Sequence, residues 1–279
     1  MNTTLQPAAW YERGVLVKSS SAVHHCSVEE GVIVAASLED RPETVFAAQC
    51  LRRGLCPAYL LGSLTVYDYI ILEVFPGQLL GFGSDPQALR QLLQALPGDR
   101  PWKSLGVAPD QATAVIALLE QRDGHTPRTQ TVIYSRLSTP VSVYQHAWVR
   151  LLAPHEEDLA LTGPGGSIGA AYGSPQALLA EGWIAGAVVD GELVARAHTS
   201  CHSATYADVA IATREQWQGQ GLATAAASLV CHHVQLKGRT PVWSTTLDNY
   251  ASSRVAQKLG FEDYSQLTYV VAETASQGA

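Results

Sequence analysis

The pattern of apolar and polar residues is most regular between residues 206 and 271, where it predicts alternating strands and helices. Tyr206–Thr213 is largely apolar and includes β-branched side chains, which favours a strand. From Leu222 the apolar residues recur at nearly helical spacing, and this helix should end near Gly238 because glycine is favoured just after a helix. A glycine-containing turn joins the two segments. The pattern therefore predicts a strand, a glycine turn and a helix.

The following residues continue the alternation. Pro241–Leu247 is rich in strand-forming residues, and Asp248 or Asn249 can cap the helix that follows. Gly260 is placed to end that helix, and a last strand is expected at Gln266–Val271. The C-terminal third of the chain is thus expected to run strand, helix, strand, helix, strand.

The N-terminal part has a weaker pattern. Its predicted strands are Ala58–Leu61, Tyr67–Phe75 and Thr131–Ser135, and its predicted helices are Glu43–Arg53, Gln87–Leu96 and Gln111–Arg122. A chain of 279 residues exceeds one typical domain, which holds about 100–200 residues. We therefore expect an N-terminal α/β domain at residues 1–143 and a C-terminal domain at residues 144–279.

Three further segments organise the C-terminal domain. Trp148–Pro154 is expected to form its first strand, and Trp183–Arg196 a hairpin that turns at Asp190-Gly191. The loop Thr162–Ser174 is rich in Gly and Pro and too long for a plain connector. Its residues 163–173 either cover a substrate or form an ordinary surface loop.

The glycine turn, Gln218-Gly-Gln-Gly-Leu-Ala223, has the features of an anion site. The first N–H groups of a helix have no intrahelical partner, and the helix dipole places partial positive charge there. Gly219 and Gly221 allow a positive φ and a close approach of phosphate oxygens. The same turn also fits a plain connector between a strand and a helix. A P-loop and a dinucleotide turn are excluded, because no Lys follows the glycines and Thr224 stands where a third glycine is needed.

Five short segments, in this order, resemble the GNAT superfamily of N-acetyltransferases. They are Ile211-Ala-Thr213, Gln218-Gly-Gln-Gly-Leu-Ala223, Pro241-Val-Trp243, Asn249 with Ser252, and Lys258-Leu-Gly-Phe261. The combination looks like the two-part bacterial GNAT proteins, which carry an extra N-terminal domain. The resemblance implies an α+β fold, with a mixed, mostly antiparallel sheet and flanking helices in the C-terminal domain. It also implies that the smaller N-terminal domain is a degenerate GNAT copy, which we expect to shape the substrate pocket or form a homodimer contact.

The resemblance further implies a site for acetyl-CoA. In the family the turn binds the pyrophosphate, the preceding strand binds the pantetheine arm through its backbone, and an Asn contacts the arm. The implied cofactor-binding residues are Ile211, Ala212, Thr213, Gln218, Gly219, Gln220, Gly221, Leu222, Ala223, Thr224, Asn249 and Ser252.

The catalytic residues carry a weaker signal. Acyl transfer to an amine needs a proton acceptor for the amine and a proton donor for the thiolate. Asp208, just before the cofactor strand segment, stands where family members often have an acidic residue, so it is the candidate base; a solvated or salt-bridged strand carboxylate is the alternative. Many members supply the donor with a tyrosine where this chain has Ala256. Tyr264, Ser253 or solvent are the possible substitutes.

Histidines and cysteines add little to this site. His198 and His202 titrate in the right range for a base, but strand histidines are more often structural. The five cysteines include no Cys-x-x-Cys pair and are expected to be reduced thiols. The adjacent His and Cys residues near positions 25 and 232 point to different sides of their elements, so no metal site is expected.

Composition restricts the function classes. The formal charge is −7 with only 18 Lys and Arg, which argues against a nucleic-acid partner and favours a cationic substrate. No apolar run approaches the roughly 20 residues of a membrane span, and no signal peptide is evident, so we expect a cytoplasmic protein without a membrane partner. The expected function is an acetyl-CoA-dependent N-acetyltransferase that acts on a small amine by direct attack in a ternary complex. The alternatives are an acyltransferase with another donor, such as a longer acyl-CoA or an aminoacyl-tRNA, and a CoA-binding module without turnover.

Overall fold

The computed structural model describes residues 22–96, 103–124, 126–166 and 168–271. Within them the helices are α1 (Val28–Ser37), α2 (Val45–Arg52), α3 (Pro86–Ala95), α4 (Pro109–Asp123), α5 (Glu157–Leu161), α6 (Pro175–Glu181), α7 (Leu222–Leu236) and α8 (Tyr250–Leu259). The strands are β1 (His24–His25), β2 (Ala58–Gly62), β3 (Tyr67–Phe75), β4 (Gln78–Gly83), β5 (Ser104–Val107), β6 (Arg128–Arg136), β7 (Val149–Leu151), β8 (Ile184–Val189), β9 (Glu192–His202), β10 (Tyr206–Thr213), β11 (Thr240–Thr246) and β12 (Glu262–Val271). Short 3-10 turns occupy Pro42–Thr44, Ala170–Tyr172 and Glu215–Trp217.

All these strands belong to one 12-stranded sheet in the order β1-β2-β3-β4-β5-β12-β6-β11-β10-β9-β8-β7. The pairs β4–β5 and β10–β11 are parallel, and every other described neighbouring pair is antiparallel. The sheet is therefore mixed and mostly antiparallel, as the resemblance implied for the C-terminal domain.

The two halves of the chain exchange strands at the middle of this sheet. Strand β6 lies between β12 and β11, and β12 lies between β5 and β6. Outward from the β12–β6 pair, both directions give one antiparallel, one parallel and then three antiparallel pairings. The N-terminal half thus has the strand topology of the C-terminal half. The predicted boundary between residues 143 and 144 stays a prediction, because the halves share one sheet.

Helices cover both faces of the sheet. Alternate residues of a strand face opposite sides, and on β11 Val242 packs with α1 and α2, whereas Trp243 packs with α7 and α8. On β12 Leu267 joins the core of α1 and α2, whereas Val270 packs against α3 and α4. Helices α3, α4, α7 and α8 therefore lie on one face, here called the α7 face, and α1 and α2 lie on the other, the α2 face.

Most predicted elements are confirmed, and the differences have local causes. The strand at Tyr206–Thr213, the helix from Leu222 and the hairpin turn at Asp190-Gly191 occur as predicted, with positive φ at both turn residues. The predicted helix Glu43–Arg53 is wrong in its first turn, because Pro42–Thr44 forms a 3-10 turn before α2. The last strand begins at Glu262, earlier than predicted, and has an irregularity after Asp263.

Candidate active site

A cleft of about 600 Å³ lies between α7, α8 and the end of β10. Its lining contains all the residues predicted to bind the cofactor except Gln220, which is exposed and lies outside the lining. The additional lining residues are Trp217, Ala251, Arg254, Val255 and Lys258. The fold thus brings the strand, the glycine turn and the start of α8 to one concave surface.

The sheet opens beside this cleft. Strand β10 pairs with β11 only from Tyr206 to Asp208, and within the described residues the remainder of β10 has no partner on that side. The pairing of β10 with β9 also shifts in register between Asp208 and Val209. The backbone of Ile211–Thr213 therefore faces the cleft, with hydrogen-bonding groups that no neighbouring strand uses.

The glycine turn has the backbone conformation that its sequence predicts. Gly219 and Gly221 have φ of +76° and +81°, and a Cβ atom added at either would meet nothing within 4 Å. Glycine is needed here for its positive φ, and the space beside it is open. The first hydrogen bond of α7 runs from the N–H of Ala225 to the oxygen of Gly221, at 3.0 Å. For the preceding N–H groups, those of Leu222, Ala223 and Thr224, no acceptor is recorded within the described chain, so they are available to an anion.

Two cations on α8 border the cleft. Arg254 and Lys258 are four residues apart on one side of the helix, and both are exposed. The Lys258 ammonium lies 5.4 Å from the ring centroid of Tyr144, and neither cation pairs with a described carboxylate. Sequence reasoning missed Arg254, because a single arginine on an exposed helix face has no motif. Its spacing from Lys258 was the available signal.

The start of α8 is held by two of the predicted residues. The Oδ1 atom of Asn249 accepts a hydrogen bond from the N–H of Ser252 at 3.2 Å, which caps the helix. The hydroxyl of Ser252 accepts a bond of 2.9 Å from the Nε1–H of the buried Trp243. This leaves the Nδ2 donor of Asn249 without a partner in the described residues, on a residue that lines the cleft.

Asp208 lies on the α2 face, where β10 and β11 separate. The hydroxyl of Ser200 donates to Oδ2 of Asp208, while the Oδ1 atom is buried and has no hydrogen-bond partner among the described residues. Burial raises the pKa of Asp208 to about 6, although the hydrogen bond from Ser200 and then the nearby hydroxyl of Ser244 lower it. A carboxylate with this pKa is ionised at neutral pH and can still take up a proton.

The other proposed acid–base residues are less suited to the chemistry. Burial lowers the pKa of His198 to about 3 and that of His202 to about 4, so both are weak proton acceptors. The ring of Tyr264 lies under the guanidinium of Arg136, 4.2 Å from it, and does not line the cleft. The hydroxyl of Ser253 donates to the backbone oxygen of Asn249.

The glycine-rich loop packs onto the α2 face beside the end of β10. A Cβ atom added at Gly165 would lie 2.5 Å from the Cβ atom of Ala212. The buried guanidinium of Arg196 holds the loop by donating to the oxygen of Ala160 at 3.1 Å and to that of Gly166 at 2.8 Å. The loop and the end of β10 are thus in contact.

Among the residues that the structure describes, no group of three His, Cys, Asp or Glu side chains is placed to hold a metal ion. In the same ranges, no helix combines the length and apolar character that crossing a bilayer would need.

Comparisons with known proteins agree with this geometry. Residues 159–270 match the family model of the GNAT acetyltransferases. The fold is similar to that of a GCN5-related N-acetyltransferase-like protein from Streptococcus suis, with a TM-score of 0.65 and 21% identity over 88% of this chain and 99% of that chain. It is also similar to a GNAT-family acetyltransferase from Colwellia psychrerythraea, with a TM-score of 0.58 and 14% identity over 90% and 100% of the two chains. No curated protein matches the sequence.

A two-part relative is informative about the whole architecture. The fold is similar to that of a tandem GNAT protein from the clavulanic acid biosynthesis pathway, with a TM-score of 0.53 and 15% identity over 90% of this chain and 98% of that chain. Its two-part organisation agrees with the repeated strand topology of this sheet. Residues 159–270 therefore match the GNAT acetyltransferase family model, and the whole chain has a two-part fold similar to that of this tandem GNAT protein.

Proposed function

We propose that this protein is an acetyl-CoA-dependent N-acetyltransferase that acetylates a small amine by direct attack in a ternary complex. The observation that carries the proposal is the cleft itself. It joins the unpaired N–H groups of α7 to the unpaired edge of β10, and this edge leads to Asp208. An anion site, a row of backbone groups and a carboxylate are what a long, phosphate-bearing thioester and an amine require.

The residues present fit the cofactor. Its pyrophosphate would be held by the N–H groups at the start of α7, and Arg254 and Lys258 add positive charge for its phosphates. The backbone of Ile211–Thr213 and the Nδ2 donor of Asn249 are available for the amide groups of the arm. Acetyl-CoA supplies the activated acetyl group.

The chemistry at the sheet opening needs a base. The amine nitrogen forms a bond to the thioester carbon, the carbon–sulfur bond breaks, and the amine proton passes to Asp208 directly or through one water. The unpaired Oδ1 atom of Asp208 is the acceptor for that proton. The thiolate takes a proton from solvent, since Ala256 replaces the usual tyrosine and is buried.

A CoA-binding module without turnover is the second candidate function. It is favoured by one observation: α8 offers Ala256 where a proton donor would stand. An acyltransferase that uses a longer acyl-CoA is the third. The N-terminal half is expected to shape the acceptor pocket, and a homodimer contact stays a prediction.

One experiment separates these functions. Calorimetry with CoA and acetyl-CoA tests binding, and thiol release from acetyl-CoA across a panel of small amines tests turnover. If the protein is an N-acetyltransferase, it should bind both ligands and release thiol with at least one amine. Binding without thiol release for any amine favours the CoA-binding module without turnover. If a longer acyl-CoA reacts faster than acetyl-CoA, the longer acyl-CoA is the acyl donor. If neither CoA nor acetyl-CoA binds at millimolar concentration, the proposed cofactor site is rejected.

A further inference from the structure

A polar row crosses the middle of the sheet on its α2 face. It consists of Asp208 on β10, Ser244 on β11, Tyr134 on β6 and Ser265 on β12. Ser244 lies opposite Tyr134, and Tyr134 lies opposite Ser265. Asp208 pairs with Val242, two residues before Ser244 and on the same face. Side chains from both halves of the chain therefore meet in one line.

Solvent reaches this row although it lies in the centre of the sheet. Ser244 is exposed because β10 pairs with β11 only as far as Val242, so among the described strands β6 alone lies beside Ser244. The row is therefore open to solvent where β10 and β11 separate. Beside it, the buried Oδ1 atom of Asp208 has no hydrogen-bond partner among the described residues. An unpaired buried carboxylate oxygen is costly, and a donor from a bound ligand would relieve that cost.

A second carboxylate, Glu43, approaches the row from the N-terminal half. The 3-10 turn Pro42–Thr44 packs against β6 and β12. Thr44 fixes this turn, since its hydroxyl donates to the oxygen of Glu39 at 2.6 Å and accepts from the N–H of Arg41 at 3.1 Å. Ser265 then donates a hydrogen bond of 2.6 Å to Oε2 of Glu43. The carboxylate is thereby held in one place over the sheet.

Among the described residues, the charge of Glu43 is paired only at long range. Its Oε1 atom is 4.0 Å from Arg41, and Arg41 has a closer partner in Glu39, at 2.5 Å. Burial above all, then Tyr269 and the charges of Asp208 and Glu43, hold the pKa of Tyr134 well above its usual value. Glu43 is bonded to Ser265, which lies opposite this tyrosine, and no residue of the row is a cation.

We propose that Glu43 binds a second positive charge on the acceptor, so that the substrate class is a small amine with two cationic groups. This inference rests on the proposed function and makes Glu43 a specificity-determining residue. The reacting nitrogen would lie by Asp208 and the other cation by Glu43. Two partly buried negative charges need two positive ones, and a ligand with a single charge leaves one carboxylate unmatched.

The test compares Glu43→Gln with the wild type. The amide keeps an oxygen for Ser265 and removes only the charge. The matched control is Glu262→Gln, which removes one charge at an exposed position of β12. We expect Glu43→Gln to raise KM for a linear diamine by about tenfold or more and KM for the monoamine of equal length by less than about twofold. The control should change neither value.

A binding measurement keeps this inference separate from the proposed function. Calorimetry of the diamine and the monoamine with the CoA-bound wild type and Glu43→Gln requires no turnover. If Glu43→Gln binds the diamine more weakly than the wild type does, while both bind the monoamine equally, the role of Glu43 is supported. This holds even if no amine is acetylated and the proposed function fails. Equal diamine affinity or equal KM in the two proteins overturns it, whatever the activity.

Discussion

The hydroxyl of Ser135 donates a hydrogen bond of 2.9 Å to Oδ1 of Asp263, across 128 residues of chain. Ser135 is on β6 and Asp263 on β12, the two strands that the halves exchange. The bond is one of the contacts that join the two halves, together with the buried Leu267 and Val270 of β12.

The exchange predicts that residues 144–279 do not fold alone. In that fragment β12 loses both of its neighbours and β11 loses one, so Val270 would give up burial worth about 1.5–3 kcal/mol. Urea unfolding followed by circular dichroism should show no cooperative transition for the fragment. Co-expression with residues 1–143 should restore the transition of the full chain. A fragment that unfolds cooperatively by itself would show that the exchange is dispensable.

Sequence patterns predicted the cofactor half well because its signals are local. The strand at Tyr206–Thr213, the helix from Leu222 and the cap at Asn249 depend on neighbours within a few residues. In the N-terminal half, α1 was missed because Val32 and Ile33 are exposed while Gly31 is buried, which hides the helical period.

Other features depend on distant residues. Strand β4 was missed because its glycines, Gly81 and Gly83, accommodate the ring of Tyr69 and do not look like strand residues. The position of Tyr134 beside Asp208 follows from the insertion of β6 next to β11, which no local pattern encodes.

Asp208→Asn should lower the rate and leave cofactor binding nearly unchanged. The amide keeps the volume and the strand but cannot take the amine proton, which predicts a loss of about 10²–10⁴ in kcat. In the wild type the rate should rise with pH through about 6, where Asp208 ionises. Thiol release across pH 5–9 checks both points. A variant with full activity and the same rise would remove Asp208 from the mechanism.

The same variant should change how stability depends on pH. Burial raises the native pKa of Asp208 from 3.8 to about 6, so between these values the native state keeps a proton that the unfolded state has lost. Raising the pH through this window should lower the free energy of unfolding of the wild type by roughly 3 kcal/mol through this group. Asp208→Asn lacks that decrease. Urea unfolding should therefore show that, from pH 4 to pH 7, the free energy of unfolding of the variant rises relative to that of the wild type. The same change with pH in both proteins would contradict the raised pKa.

The α8 cations should contribute to cofactor affinity through charge. Arg254→Ala and Lys258→Ala are each expected to weaken CoA binding by about 0.2–1 kcal/mol, the range of exposed charge pairs, and to reduce its dependence on salt. Lys237→Ala, at the far end of α7, is the matched control and should have no effect. Titration of CoA at two salt concentrations measures this. Unchanged affinity in both variants would place the phosphates elsewhere.

The glycine turn offers the most direct test of the cofactor site, by calorimetry of acetyl-CoA with Gly221→Asp and Gly221→Asn. Both variants carry the same strain at a φ of +81° and have open space for the side chain, and only the first adds a negative charge at the start of α7. We predict that Gly221→Asn retains measurable binding and that Gly221→Asp abolishes it, with circular dichroism unchanged in both. Equal affinity in Gly221→Asp and the wild type would contradict the account, because a phosphate held by those N–H groups cannot tolerate a carboxylate beside it.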